Sequence, residues 1–374
     1  MAICKLLFVV NEARFFISHR LAIAVAAKAA GYEVHVATPE GPGSEEIESQ
    51  FQFHPIPLNR KGVKPVGELS TMLALYRLYR KISPTLVHHV TIKPVLYGGL
   101  MGRLVKVPAV VSAITGLGFV FINSGLRAKI LRWAIKLFYR CALDHPNSRA
   151  IFQNPDDREL FVHSGLLPKN RSTLIRGSGV DMRQFTPSPE PCGAPLVVLA
   201  ARMIWDKGVG EFVKAAYQLR LSGVQARFVL VGEIDYGNPS AIPEAQMKAW
   251  QAEGFVEWWG YKTEMPEILS RAHIVCLPSY REGVPKVLIE AAACGRATIA
   301  TDMPGCREIV RHEENGLLVP PRDASALAAA IERLVEDPAL RTRFGARGRQ
   351  IAEAEFSVER VVRDTLAIYR ELLQ

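Results

Sequence analysis

Glu282 and Glu290, with seven residues between them, bracket the stretch Ser279-Tyr280-Arg281-Glu282-Gly283-Val284-Pro285-Lys286-Val287-Leu288-Ile289-Glu290. It reads as a loop turning into a helix, because Gly283 permits an unusual backbone angle and Pro285 suits a first helical position, where its missing N–H is no loss. Free amides and the positive end of the helix dipole gather at such a start, and Lys286 adds a full charge, so the place suits an anion such as a diphosphate. Glu290 follows roughly 7 Å along the axis from Pro285. Two more cations belong to the same constellation: Arg202 follows the apolar run Leu196-Val197-Val198-Leu199-Ala200, and Lys207 opens the next helix. Two or three cations beside a helix N-terminus are what a diphosphate leaving group requires, since charge builds on it as its bond breaks. No Asp-x-Asp follows an apolar strand, so no metal and no cofactor are expected. Isolated surface glutamates are commonplace, and the rest of the chain has to decide between that reading and this one.

The elements that must position these residues come from a chain of 374 residues, 49% of them apolar, which is enough for two cores. Residues 1–185 hold 24 Lys and Arg against 12 Asp and Glu, and residues 186–374 hold 22 against 25. A half that basic is drawn to an anionic surface, membrane lipid or nucleic acid. No helix-turn-helix, zinc or aromatic RNA-binding motif supports nucleic acid. No apolar run has the length of a membrane span, and the first residues lack the pattern of a signal peptide, so a cytoplasmic location is expected. The six cysteines include no C-x-x-C pair and read as reduced thiols.

In chain order, residues 3–10 read as a buried parallel strand, Ser18 as the cap of a helix running to Ala30, and 32–38 as a second strand. The intervening loop, Asn11 to Ser18, lacks G-x-G-x-x-G, which argues against a dinucleotide site. Helices near 66–81 and 94–105 alternate with strands at 86–88 and 109–112. His88, His89 and Thr115-Gly116-Leu117-Gly118 are placed at the carboxyl ends of those strands, where doubly wound sheets bind ligands. The two histidines read equally well as hydrogen-bonded structural residues. In the helix at 126–142, Lys129, Arg132, Lys136 and Arg140 form one basic stripe beside Ile130, Trp133 and Leu137, with Leu131, Ile135 and Phe138 behind. That stripe fits an anionic membrane interface or a solvated face. Gly177, Gly179, Pro187, Pro189, Pro191 and Gly193 mark a linker, and the expected boundary falls between residues 185 and 186. A second set of strands follows at 196–200, 227–231, 256–258, 274–277 and 297–300, with Gly232 just past the second of them. An edge strand at 317–319 and a final helix near 358–373 complete the pattern.

Taken as one ordered pattern, Leu277-Pro278-Ser279-Tyr280-Arg281-Glu282-Gly283-Val284-Pro285, Glu290-Ala291-Ala292-Ala293-Cys294-Gly295 and Pro304-Gly305-Cys306-Arg307-Glu308-Ile309-Val310 resemble glycosyltransferase family 4, including its Glu-x7-Glu element. The resemblance implies an α/β chain of GT-B architecture, two doubly wound Rossmann-like domains facing across a cleft, with the final helix crossing back onto the first. It implies retaining, metal-independent transfer of a sugar from a nucleotide donor. Glu290 would then bond the ribose, and Glu282 would lie near the donor sugar. Gly283, Val284, Pro285 and Lys286 would surround its hydroxyls and diphosphate, while Arg202 and Lys207 neutralise the leaving group. Gly232, Thr115, Gly116 and His89 complete the expected substrate contacts. Phe16-Ile17-Ser18-His19-Arg20, His88-His89-Val90-Thr91-Ile92-Lys93-Pro94 and Thr115-Gly116-Leu117-Gly118 resemble the branch that extends polyprenyl-diphosphate-linked saccharides in bacterial O-antigen, capsule or glycoprotein assembly. This implies a UDP-sugar donor, an N-acetylated or deoxy hexosamine, a lipid-linked saccharide acceptor and a peripheral place on the cytoplasmic face of the inner membrane. Two departures stand out. Asn11 to Ser18 replaces a glycine-rich loop common in the family, and Thr115 stands where many members have a histidine, so a catalytic histidine is not carried over to that position. The alternatives are a UDP-sugar 2-epimerase of the same fold and a membrane-bound nucleotide-sugar sensor without turnover.

Overall fold

A computed structural model describes residues 4–59, 65–116 and 126–374, the side chains of 65 and 126–134 excepted. The chain divides into two compact units, Met1–Ser178 with Glu359–Gln374, and Gly179–Val358. The change of unit therefore comes ahead of the expected 185/186 boundary.

The first unit carries β1 (Lys5–Val10), α1 (Ala13–Ala29), β2 (Glu33–Thr38), α2 (Ser44–Glu48), β3 (Gln52–Pro55), α3 (Pro65–Ile82), β4 (Leu86–Val90), α4 (a π-helical turn Pro94–Gly98 continued by Gly99–Val105), β5 (Ala109–Ile114), α5 (Leu126–Leu143), β6 (Ser148–Phe152), α6 (Pro155–His163) and β7 (Ser172–Leu174). The second carries β8 (Leu196–Ala200), α7 (Val209–Leu221), β9 (Arg227–Val231), α8 (Glu244–Ala252), β10 (Glu257–Trp258), α9 (Met265–Arg271), β11 (Ile274–Leu277), α10 (Lys286–Ala293), β12 (Ala297–Thr301), β13 (Gly316–Val319), α11 (Ala324–Glu336) and α12 (Pro338–Glu355). The last helix, α13 (Val358–Leu373), runs into the first unit.

Both sheets are parallel, ordered β3-β2-β1-β4-β5-β6-β7 and β10-β9-β8-β11-β12-β13. Near-continuous apolar strands follow from burial on both faces. In β1, Leu6, Phe8 and Val10 enter one core and Leu7 and Val9 the other, as the two-residue strand period requires. In each sheet the order reverses beside the first strand, at β1/β4 and β8/β11, and such a reversal opens a crevice at the strands' carboxyl ends.

Several sequence expectations are corrected. Helix α1 starts at Ala13, where burial of Ala13 and Phe16 draws the chain into the helix early. Ser18 is therefore an interior residue whose hydroxyl donates to the Arg14 carbonyl (2.8 Å), and the loop after β1 shrinks to Asn11 and Glu12. Strand β4 continues to Val90, so His88 and His89 lie within it and face opposite cores. His89 is 0% exposed, with its Nε2 2.8 Å from the Tyr79 hydroxyl. A Cβ on Gly98 would overlap the His89 ring, so α4 packs directly on it. His89 is thereby a buried side chain of the sheet and not a strand-end ligand. His88 Nδ1 and the Tyr369 hydroxyl of α13 share a hydrogen bond at 2.5 Å, and Arg20 is buried near both. Desolvation pushes the Arg20 guanidinium down to about 10. Val361, Leu366, Ile368, Tyr369 and Leu372 complete the core beside α1, which seats α13 in this unit.

Tyr369→Phe leaves buried His88 Nδ1 without its hydrogen-bond partner, and is expected to cost about 1–3 kcal/mol of first-unit stability, read by chemical denaturation followed through that unit. Burial holds His35, His54, His88, His89 and His145 below the usual imidazole value, His89 at about 3. The unfolded chain therefore binds protons first as pH falls, and the unit should weaken between about pH 7 and pH 5, read as a falling urea midpoint.

Candidate active site

The residues singled out in the second unit gather at the carboxyl edge of its sheet. Strand β8 delivers Arg202, β9 delivers Gly232, and β11 delivers the loop that ends on α10. Pro285 is the residue before the helix, with ψ 117°, and Lys286 is the first helical residue. No side chain caps α10 and no acid lies in its first turn, so nothing on the helix itself offsets the positive end of its dipole.

The loop is held by close backbone approaches. Gly283 keeps an ordinary backbone angle; the left-handed residue is Gly305 (φ +85°), where a Cβ would strike the Gly283 carbonyl. Gly208 (φ +71°) rests on the Pro278 carbonyl in the same way, and Gly232 (φ +142°) on that of Ala201. The Gly232 amide donates to the Gly260 carbonyl (2.8 Å), while its own carbonyl accepts from Trp258 Nε1 (2.8 Å). Its contribution to the site is thus close packing of two strand ends. The Tyr280 amide donates to the Asp206 carbonyl (2.9 Å), its hydroxyl to Glu211 Oε1 (2.7 Å), and the Arg322 guanidinium lies 4.6 Å over its ring. The Thr301 hydroxyl donates to the Ser279 carbonyl.

Each cation is held by a carboxylate. Lys207 Nζ bonds Glu282 Oε1, Arg202 bonds Asp235 Oδ2, and Lys286 Nζ lies 3.2 Å from Glu290 Oε1 one turn along α10. Glu290 is 7% exposed; its burial pushes the carboxyl up from the ordinary value, and Lys286 pulls it back in part. The Arg202 side chain keeps 43% exposure, so it can engage a ligand while Asp235 anchors it. This arrangement joins fixed positive charge and backbone donors at one rim, suited to an anion of two phosphates.

Glu282, Gly283, Val284, Pro285, Lys286 and Glu290 thus lie on one continuous loop and helix, with Lys207 bonded to it. Thr115 and Gly116 (φ +138°) lie in the first unit just past β5, and Leu117 and Gly118 fall outside the described residues. Sequence reasoning missed Asp235, Glu211 and Arg322. Asp235 carried one signal, an acidic residue three positions after the glycine that ends an apolar strand.

Two parallel-sheet Rossmann-like units in one chain define the GT-B fold, and the solved sucrose-phosphate synthase of Thermosynechococcus elongatus superimposes with a TM-score of 0.81 at 22% identity, over 99% of each chain. Residues 182–351 match the family described as glycosyl transferases group 1, and residues 5–152 match glycosyl transferase 4-like proteins. The two matches are both to glycosyltransferases, one in each half of the chain, and the chain is a hexosyltransferase. It is 28% identical over 307 residues, 79% of each chain, to the N,N'-diacetylbacillosaminyl-diphospho-undecaprenol alpha-1,3-N-acetylgalactosaminyltransferase of Campylobacter jejuni. It is 21% identical over 318 residues, 82% of this chain and 80% of the relative, to the UDP-Gal:alpha-D-GlcNAc-diphosphoundecaprenol alpha-1,3-galactosyltransferase of Escherichia coli.

A carboxyl with a folded-state value above its unfolded one favours folding at low pH and opposes it once ionised. Glu290→Gln is therefore expected to unfold at neutral pH no earlier than the parent chain, read by chemical denaturation at neutral and acid pH side by side.

Proposed function

We propose that this chain transfers a hexosamine, N-acetylated or deoxy, from a UDP-sugar to a polyprenyl-diphosphate-linked saccharide, with retention at the anomeric carbon and without a metal. In this reading it works in bacterial O-antigen, capsule or glycan assembly at the cytoplasmic face of the inner membrane. The observation that carries the reading is the uncapped start of α10 with Lys286, Lys207 and Arg202 each fixed by a carboxylate. The names of the two relatives, which specify diphosphoundecaprenol-linked saccharides and in one case UDP-galactose, support the donor and acceptor classes.

The chemistry follows from charge. The bond between the anomeric carbon and the diphosphate oxygen breaks, negative charge gathers on that oxygen, and Arg202, Lys207 and the first amides of α10 offset it. The acceptor hydroxyl attacks from the face the diphosphate leaves, so configuration is kept, and its proton passes to the departing phosphate oxygen. Glu290 holds the ribose through its carboxylate. Glu282, bonded to Lys207, orients that cation and lies beside the sugar.

The test is a panel of UDP-sugars offered with a synthetic polyprenyl-diphosphate sugar, with product mass and anomeric configuration read by spectrometry and NMR. One α-linked product, formed equally in the presence of a chelator, is expected. Lys207→Ala should lower kcat by roughly a hundredfold or more with a smaller change in KM. An inverted product, chelator sensitivity, or release of UDP and an epimerised sugar without acceptor would each overturn the reading.

A further inference from the structure

Helix α3 presents to solvent a stripe that no described residue covers. Val66, Leu69 and Leu73 are 83%, 67% and 45% exposed, and their spacing of three and four puts them on one face. The opposite face is core, with Thr71, Leu75, Tyr79 and Ile82 buried. Further along the outer face come half-buried Tyr76 and exposed Arg77 and Arg80, and Arg80 bonds the Tyr76 hydroxyl at 3.3 Å. Over roughly 20 Å the helix thus passes from aliphatic through tyrosine to arginine. That is the order from acyl boundary to headgroup in a bilayer interface. The one acid of α3, Glu68, is turned to Lys93 at 2.6 Å, so the outer face carries no negative charge.

The neighbouring helices continue the pattern. Helix α3 packs beside α4, and α4 beside α5. Exposed Leu104 on α4 lies next to Arg103 and Lys106, and exposed Leu137 and Phe138 on α5 lie next to Lys136 and Arg140. Phe138 was expected behind the basic stripe of α5; its ring instead meets Tyr97 edge-on at 6.3 Å, while Tyr139, Ala142 and Leu143 fill the core. The side chains of Lys129 and Arg132 lie outside the described residues, and Lys136 turns to the Ser164 hydroxyl at 3.3 Å. Residues 51–150 hold 15 Lys and Arg against two acids, Glu68 and Asp144. Asp144 lies 3.5 Å from Arg103, so both acids are already matched.

We infer that the outer face of α3 is the membrane-docking surface of this chain, with Val66, Leu69 and Leu73 inserted among the acyl chains and the arginines on anionic headgroups. The proposal rests on the lipid-linked acceptor reading and deepens it. A second copy fits poorly, because a symmetric contact would bring this cationic face against itself. Nucleic acid fits poorly as well, since aliphatic tips offer no stacking platform. No described helix is long and apolar enough to cross a membrane, so the mode is surface insertion. In a β–α–β unit the helix following a strand begins at that strand's carboxyl end. Val66 and Leu69 therefore sit at the same edge of the first unit as Thr115 and Gly116, where a lipid headgroup would be presented.

The full chain is floated with vesicles of mixed phosphatidylglycerol and phosphatidylcholine and with phosphatidylcholine alone. Binding to the mixed vesicles only is expected, with V66S/L69S/L73S weakening it by roughly tenfold or more and R77E/R80E abolishing the dependence on anionic lipid. Leu69→Trp should be quenched by brominated lipid, which reports insertion even where the triple variant folds poorly. The inference fails if the triple variant floats like the parent, if Trp at 69 is not quenched, or if the stripe instead drives self-association in sedimentation. Transfer to a short-chain, water-soluble acceptor distinguishes the two readings. Its retention without vesicle binding overturns docking alone, and vesicle binding without any transfer overturns the catalytic reading alone.

Discussion

The second unit depends on a local balance of charge. Three cations stand within one rim, and like charges crowded at the edge of a low-dielectric sheet would splay apart or drag water inward. Pairing Arg202 with Asp235, Lys207 with Glu282 and Lys286 with Glu290 removes that repulsion while leaving each cation on a fixed stem. A dianionic ligand then meets donors that are already oriented, which limits the reorganisation it must induce. The carboxylates are therefore as much part of this cationic rim as the cations themselves.

Backbone contact supplies the remaining rigidity. At Gly208, Gly232 and Gly305 a side chain would collide with a carbonyl of a neighbouring loop, and all three residues adopt backbone angles that favour glycine. These contacts tie the loops after β8, β9, β11 and β12 into one surface. Tyr280 adds a side-chain link, joined to Glu211 through its hydroxyl and to Arg322 across its ring.

Much of this was legible in the amino-acid order. Continuous apolar runs set the strands of both sheets, because a strand buried on two faces has no polar alternation to confuse. The loop and helix at 279–290 were legible because Gly, Pro and Lys at that spacing each carry a mechanism. What was misread depended on contacts between distant residues. Ser18 is a good cap by type, yet burial of Ala13 and Phe16 started the helix earlier. His88 and His89 look like ligands by type, yet the strand carries them into two opposite cores, where Tyr369 and Tyr79 await them. Gly283 looked like the special glycine, whereas the constraint falls on Gly305, more than twenty residues on, and only the folded chain brings the two together.

The return of α13 to the first unit bears on how the protein is made. Ribosomes release a chain from its N-terminus, and domains ordinarily fold in that order. Here the first-made unit lacks Tyr369, Leu366 and Leu372 until the second unit has been made, so its core beside α1 stays open, with His88 and Arg20 unshielded, throughout that synthesis. The second unit is contiguous from Gly179 to Val358 and has all of its strands before the end. The order of completion is thus reversed: the second unit closes first, and the more basic unit with its aliphatic helix face closes only after it.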